Sequence, residues 1–283
     1  MAYQHILTAI DLYENYGPLL KDAATFSKAS QTTMDLVHVL PIVIGTVPYA
    51  GDFQQEMEKE SKTRMKAAHN QAKDVVSQVY ELHGHPAQEI HHFAKEHHHD
   101  LIIAGSHGRH GLDLLLGSTA CGLLHGNKTD VLTMRVDKEG QRLSAVPYKR
   151  VLLACDLHAD SQHVIDQAKA ISQQFGAQLD LVCVAPDAAA LGVMTLPNME
   201  HDILAQIQDK AGTLAKEISI DASHVHVKQG VVRLGVLEVA KTIDADLIVV
   251  GSHGRHTLGA VVLGSTANAL LHHAKSDVLV VKI

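Results

Sequence analysis

The chain repeats itself. YQHILTAID (Tyr3 to Asp11) resembles YKRVLLACD (Tyr148 to Asp156), and DLVHVLP (Asp35 to Pro41) resembles DLVCVAP (Asp180 to Pro186), both at an offset of 145 residues. DLIIAGSHGRH (Asp100 to His110) answers DLIVVGSHGRH (Asp246 to His256) at 146. GSTA at Gly117 and Gly264, and DVLTMRV (Asp130) and DVLVVKI (Asp277), follow at 147. Five landmarks in one order, drifting by two residues, mean a duplicated unit. The period far exceeds that of a solenoid repeat, so each unit is a whole domain. The polar segment DKEGQRLSAVP (Asp137 to Pro147) reads as a linker between domains at 1–137 and 148–283.

Within each unit, short apolar runs of strand length alternate with helical patterns. HILTAI and RVLLAC open the copies, and DLVHVL and DLVCVA follow after a helix. In the second copy that helix, HVIDQAKAISQQFG, ends in a glycine C-cap at Gly176. A strand precedes Gly84 or Gly230, a further helix leads to LIIAG or LIVVG, and a glycine loop, a helix and a last strand close each copy. Uninterrupted apolar strands alternating with helices imply a parallel sheet buried on both faces. Aromatics are only 4% of the chain and Trp is absent, so aliphatic side chains must fill that core. Five strands per domain in the order 3-2-1-4-5 are compatible with short right-handed crossovers.

The charge balance bounds the partners. A formal net charge of -7 without a basic stripe argues against nucleic acid. No apolar run reaches the 18 residues of a membrane span, and MAYQHILTAIDL does not read as a signal peptide. Three cysteines without regular spacing (Cys121, Cys155 and Cys183) suit a reducing compartment. The expected location is cytoplasmic, and no membrane association is expected.

The chemistry concentrates after the fourth strand. The second copy reads GSHGRHTLGAVVLGST from Gly251, with two residues between Gly251 and Gly254 and nine between Gly254 and Gly264. Glycines after a strand let the backbone turn tightly and approach a ligand. Ser265 and Thr266 open the next helix, where free N–H groups and the dipole favour phosphate. Asp156 ends the first strand of the copy and faces the same crevice, since ligands of open parallel sheets sit beyond the carboxyl ends of the strands.

Glycine, two residues, glycine, nine residues, then glycine and a hydroxyl residue resembles the ATP-binding signature of universal stress proteins. The strand-one Asp and the strand-two segment are similar to that family too, across nearly the whole chain and twice. The resemblance implies an α/β fold of two tandem flavodoxin/Rossmann-like domains, each an open parallel five-stranded sheet with helices on both faces. It implies ATP as cofactor, with or without Mg²⁺, and names roles. Asp156 would contact ribose and a metal, while Val184, Ala154 and Cys155 would line the adenine. Val250 and Gly251 would hold adenine or ribose, Gly254 would start the phosphate path, and Gly264, Ser265 and Thr266 would bind phosphates.

The first copy keeps Asp11, Val39, Gly105, Gly108, Gly117, Ser118 and Thr119, but only eight residues separate Gly108 from Gly117, and Asp113 falls among them. One residue fewer re-aims the loop N–H groups, and a carboxylate repels phosphate. ATP is therefore expected mainly in the C-terminal domain. In the resembling family the last strand mediates dimer contact, which implies a homodimer or a pairing of the two copies within one chain.

Blander readings stand beside these. The glycines serve strand-to-helix turns whatever they bind, Asp11 and Asp156 suit helix N-caps, and Cys155 suits a small buried apolar position. His92 and Glu96, four apart in HHFAKEHHHD, could share a helix face, but the second copy has no counterpart, and no metal site is expected. His107 and His253 neighbour Ser106 and Ser252, yet sequence neighbours rarely form a nucleophile pair. No acid–base pair, triad or Walker-type Lys is present, which favours an ATP-binding sensor or adaptor in a stress response over an efficient enzyme. The alternatives are a non-nucleotide interaction module for unidentified protein partners, a small-molecule hydrolase or transferase using the same crevice, and a weak ATP hydrolase or autophosphorylating protein.

Overall fold

The structure, a computed structural model, describes residues 3–42, 50–106, 117–125, 128–185, 197–252 and 263–283. It forms two compact units, Tyr3–Pro147 and Tyr148–Ile283. The first contains β1 (Ile6–Ala9), α1 (Gly17–Ala29), β2 (Met34–Leu40), α2 (Ala50–Gln71), β3 (Val76–His83), α3 (Pro86–Glu96), β4 (Leu101–Gly105), α4 (Ser118–Leu124) and β5 (Asp130–Met134). The second contains β6 (Arg150–Ala154), α5 (Gln162–Phe175), β7 (Gln178–Ala185), α6 (Pro197–Glu217), β8 (Val225–Gln229), α7 (Val232–Thr242), β9 (Leu247–Gly251), α8 (Ser265–His273) and β10 (Asp277–Val281).

Each unit is an α/β sheet. The strand order is β3-β2-β1-β4-β5 in the first and β8-β7-β6-β9-β10 in the second, which is the 3-2-1-4-5 expected from the sequence. Neighbouring strands pair in parallel throughout each unit. The central strands explain their uninterrupted apolar runs. Leu101, Ile102 and Ile103 of β4 and Leu247, Ile248 and Val249 of β9 are all fully buried. A strand covered by helices on both faces has no solvent side to alternate toward. The edge strands β3 and β8 are mostly half-buried or exposed, and their sequences (VSQVYELH, VHVKQ) are correspondingly polar.

The helices follow the same logic. In α5 the buried residues Val164, Ile165, Ala168, Ile171 and Ser172 recur at helical spacing, giving one apolar stripe. Burial of each large aliphatic side chain contributes roughly 1.5–3 kcal/mol. The helix stops where the sequence says it should, with Gly176 left-handed at φ 63°.

Two repeated carboxylate contacts tie the ends of each sheet together. The Tyr3 hydroxyl donates to Asp130 and the Tyr148 hydroxyl to Asp277, both at 2.8 Å and buried. Asp100 accepts the backbone N–H groups of Gln4 and His5, and Asp246 those of Lys149 and Arg150. The segment read as a linker folds back on the first unit. Arg142 pairs with Asp22 at 2.9 Å, and Asn15 donates to the Glu139 carbonyl.

Candidate functional site

In the second unit the chain runs outward from β6 to β7 and β8, then crosses back to β9 on the other side of β6. The strand order reverses between β6 and β9, so a crevice opens there beyond the carboxyl ends of the strands. Ala154 is in register with Val182 on one side and Val250 on the other, which gathers most of the expected residues at one end of the sheet. Ala154, Val184 and Gly251 are half-buried, Cys155 and Val250 are buried, and Asp156 is exposed.

Asp156 sits where β6 gives way to a single 3-10 turn, Ala159–Ser161, ahead of α5. Its Oδ1 accepts the N–H of His158 at 3.2 Å and the hydroxyl of Ser161 at 2.7 Å. Leu157 between them is left-handed at φ 60°. Asp156 therefore does not cap α5, contrary to the N-cap reading of its sequence position. The N-cap residue of α5 is Ser161, and its hydroxyl is turned to the carboxylate instead of to the helix.

The Cys155 N–H donates to the Val182 carbonyl at 3.1 Å, so Cys183 is its lateral neighbour on β7. Burial pushes both thiols up, and each lies within reach of the Asp156 charge, which pushes them further. The Leu157 N–H and the Ser161 hydroxyl draw Cys155 back only in part. Neither sulfur is a thiolate at neutral pH, and both pack as small buried side chains at the strand ends. Val184, next along β7, lies on the opposite face of the sheet from Cys183. Its methyl carbons lie 2.9 and 3.2 Å from where a Cβ on Gly235 of α7 would be, so it packs against that helix.

The residues expected at the phosphates, Gly264, Ser265 and Thr266, stand at the start of α8. Gly264 is its N-cap at φ −62°, ψ 147°, with no side-chain cap and no acidic residue in the first turn. Ser265 is exposed and Thr266 half-buried on that turn. The first N–H groups of a helix have no acceptor within it, so this end is left free to meet an anion. A residue that sequence reasoning set aside holds it in place. Ser252, 1% exposed, donates its N–H to the Val281 carbonyl and accepts the Gly264 N–H on its own carbonyl, both at 2.8 Å. Its hydroxyl accepts the Ile283 N–H at 3.3 Å. The two ends of the glycine loop are thereby clamped together, and Ser252 is a buried bracket rather than a nucleophile. Its recurrence as Ser106 was the available signal. Gly254 and His253 lie outside the described residues, as do Gly108, His107 and Asp113 of the first copy.

The first unit repeats the bracket. Ser106 bonds Met134 and Gly117 in the same way, and Gly117 caps α4 without a side chain. Ser118 is exposed, Thr119 half-buried and Val39 buried. Its strand ends differ. Ile10 and His38 stand in the places of Cys155 and Cys183. The Tyr13 ring tilts against His38 at 5.8 Å between centroids, and the Arg64 guanidinium lies 5.1 Å over Tyr13 while donating to the Leu12 carbonyl. Asp11 accepts the Tyr13 N–H at 3.0 Å.

The histidine-rich stretch does other work. His92 and Glu96 face each other on α3 at 3.2 Å, both exposed, and His91 contacts the Leu123 carbonyl. His97 stacks on Phe93 at 4.0 Å, and His99 is buried against Asp35 at 3.2 Å. Among the described residues no helix is long and apolar enough to cross a membrane.

The comparisons with known proteins agree with this geometry. The model of the universal stress protein family matches twice, over residues 2–135 and 147–282. The chain is 38% identical over 141 residues to universal stress protein A homolog 2 of Coxiella burnetii, covering 48% of this chain and 96% of that protein. Universal stress protein E homolog of Haemophilus influenzae is 26% identical over 147 residues, with 47% of this chain and 48% of that protein covered. Among solved structures, a universal stress protein from Archaeoglobus fulgidus superposes with a TM-score of 0.75 at 22% identity, covering 98% of both chains. The family model matches both copies, and the chain belongs to the universal stress protein family as a tandem, two-domain member.

Proposed function

We propose that the protein is a stress-response sensor or adaptor that binds ATP in its second copy and acts through the bound state rather than through rapid turnover. The observation that carries this is the uncapped N-terminus of α8, clamped by Ser252 beside the crevice that Asp156 borders. Free N–H groups with no acidic residue in the helix's first turn suit phosphate, and a carboxylate at the strand ends suits a ribose. A metal on the phosphate oxygens would draw on Asp156, and Mg²⁺ is the cation such a carboxylate suits.

Two features support the weight on the second copy. Its glycine motif has the nine-residue spacing, and its strand ends carry small groups, Cys155 and Cys183, where the first copy carries Ile10 and His38, with Tyr13 against His38 and Arg64 over Tyr13. The test is a titration with ATP and Mg²⁺ of the wild type and of Gly254→Val and Asp156→Ala. Each variant should lose at least tenfold in affinity while melting near the wild-type temperature. Tight ATP binding undiminished in both would move the nucleotide elsewhere. No binding by the wild type at millimolar ATP would leave a partner-binding module.

A further inference from the structure

Asp156 is exposed, and an exposed carboxylate turns readily about its last torsion. Here it cannot. Two donors hold the same oxygen, the His158 N–H at 3.2 Å and the Ser161 hydroxyl at 2.7 Å. Ser161 is 5% exposed and anchored at the first turn of α5, so it fixes the carboxylate to the body of the domain. The turn that brings these donors back passes through Leu157 at φ 60°, a conformation that costs an ordinary residue about 1 kcal/mol. Such strain persists only where the surrounding structure over-determines it. With Oδ1 taken by both donors, Oδ2 accepts no hydrogen bond among the described residues.

The first copy does not build this device. At the same offset Tyr16 stands in place of Ser161, and Leu12, in place of Leu157, is not left-handed. Asp11 accepts the equivalent backbone bond, from Tyr13 at 3.0 Å.

We infer that Ser161 is a positioning residue which presents Asp156 Oδ2 as the acceptor for a vicinal diol, and so makes the second copy selective for ribonucleotides over deoxyribonucleotides. This rests on the reading of that copy as a nucleotide site. A ribose offers two adjacent O–H donors, and a carboxylate oxygen held in one orientation can accept from both. Removing one hydroxyl from the sugar, or freeing the carboxylate to rotate, forfeits the same alignment.

The experiment measures affinities of the full chain for ATP, 2′-deoxy-ATP and 3′-deoxy-ATP by calorimetry. In the wild type, ATP should bind roughly tenfold more tightly than either deoxy form, the worth of one charge-assisted hydrogen bond. Ser161→Ala should bring that ratio to about 2 or less, and Ser161→Thr, which keeps the hydroxyl, should restore it. The ratio is internal to each protein, so a general loosening of the fold leaves it unmoved. Should Ser161→Ala unfold, Ser161→Cys keeps the volume, weakens the donor and reports the same ratio. A wild-type ratio retained in Ser161→Ala, with ATP binding intact, overturns the role of Ser161 alone. A wild-type protein that binds no ATP overturns the nucleotide reading and this inference together.

Discussion

At Gly251 a side chain would meet the end of the chain. A Cβ there would lie 2.5 Å from Ile283 Cδ1 and 3.4 Å from Val164 Cγ2. The first neighbour is the tip of a flexible, half-exposed side chain and can move aside. Gly251→Ala should therefore cost no more than about 1 kcal/mol in urea unfolding, and Ile283→Ala in the same chain should recover it. Gly264 is different, since its backbone, φ −62° and ψ 147°, suits any residue. Gly264→Ala should leave the melting temperature nearly unchanged and weaken ATP at least fivefold, because a methyl group there stands in the anion's approach to α8. A large loss of stability with unchanged ATP affinity would contradict that division between fold and ligand.

His99 carries a pH dependence of its own. Burial holds it below the ordinary histidine value, against the pull of Asp35 in the other direction, and His97 and His5 add to the lowering. The folded state therefore prefers the neutral ring. The unfolded chain takes up a proton near pH 6.5 and the native state does so only at lower pH, so stability is full above that window and falls as pH drops through it. Urea midpoints at pH 7.5 and 5.5 should differ less in His99→Asn than in the wild type. An equal difference in the two proteins would remove His99 from the account.

Elements are held by contacts that the sequence displays without revealing. Tyr148 and Asp277 each head a repeated landmark, yet nothing in either landmark says that a hydroxyl and a carboxylate 129 residues apart meet at 2.8 Å. Tyr148→Phe leaves the fully buried Asp277 short of a donor and should cost roughly 1–3 kcal/mol. Edge strand β8 is pinned in a similar way. Asp180, buried on β7, accepts from His224 at 3.2 Å and His226 at 2.8 Å, with Arg150 at 3.8 Å. Asp180→Asn should speed amide exchange in β8 before β6 or β9, since an edge strand has a partner on one side only. Strand positions, the Gly176 cap and the sheet order were legible because burial on two faces and a left-handed turn each leave a local pattern. The Ser252 bracket, the Ser161–Asp156 bond and the turning of Val184 toward Gly235 were not, because each depends on which element folds over which.

For the molecule as a whole, duplication offers two crevices of one plan with unequal contents. Both keep an uncapped helix after the glycine loop and a serine that clamps its ends. They differ in loop length by one residue and in what fills the strand ends. A doubled chain with a single working nucleotide site differs from one with two in its binding stoichiometry. Calorimetric titration of the nucleotide-free chain with ATP and Mg²⁺ should give about one ATP per chain, abolished by Gly254→Val and unaffected by Gly108→Val. Two ATP per chain, or one that survives Gly254→Val and is lost with Gly108→Val, would contradict it.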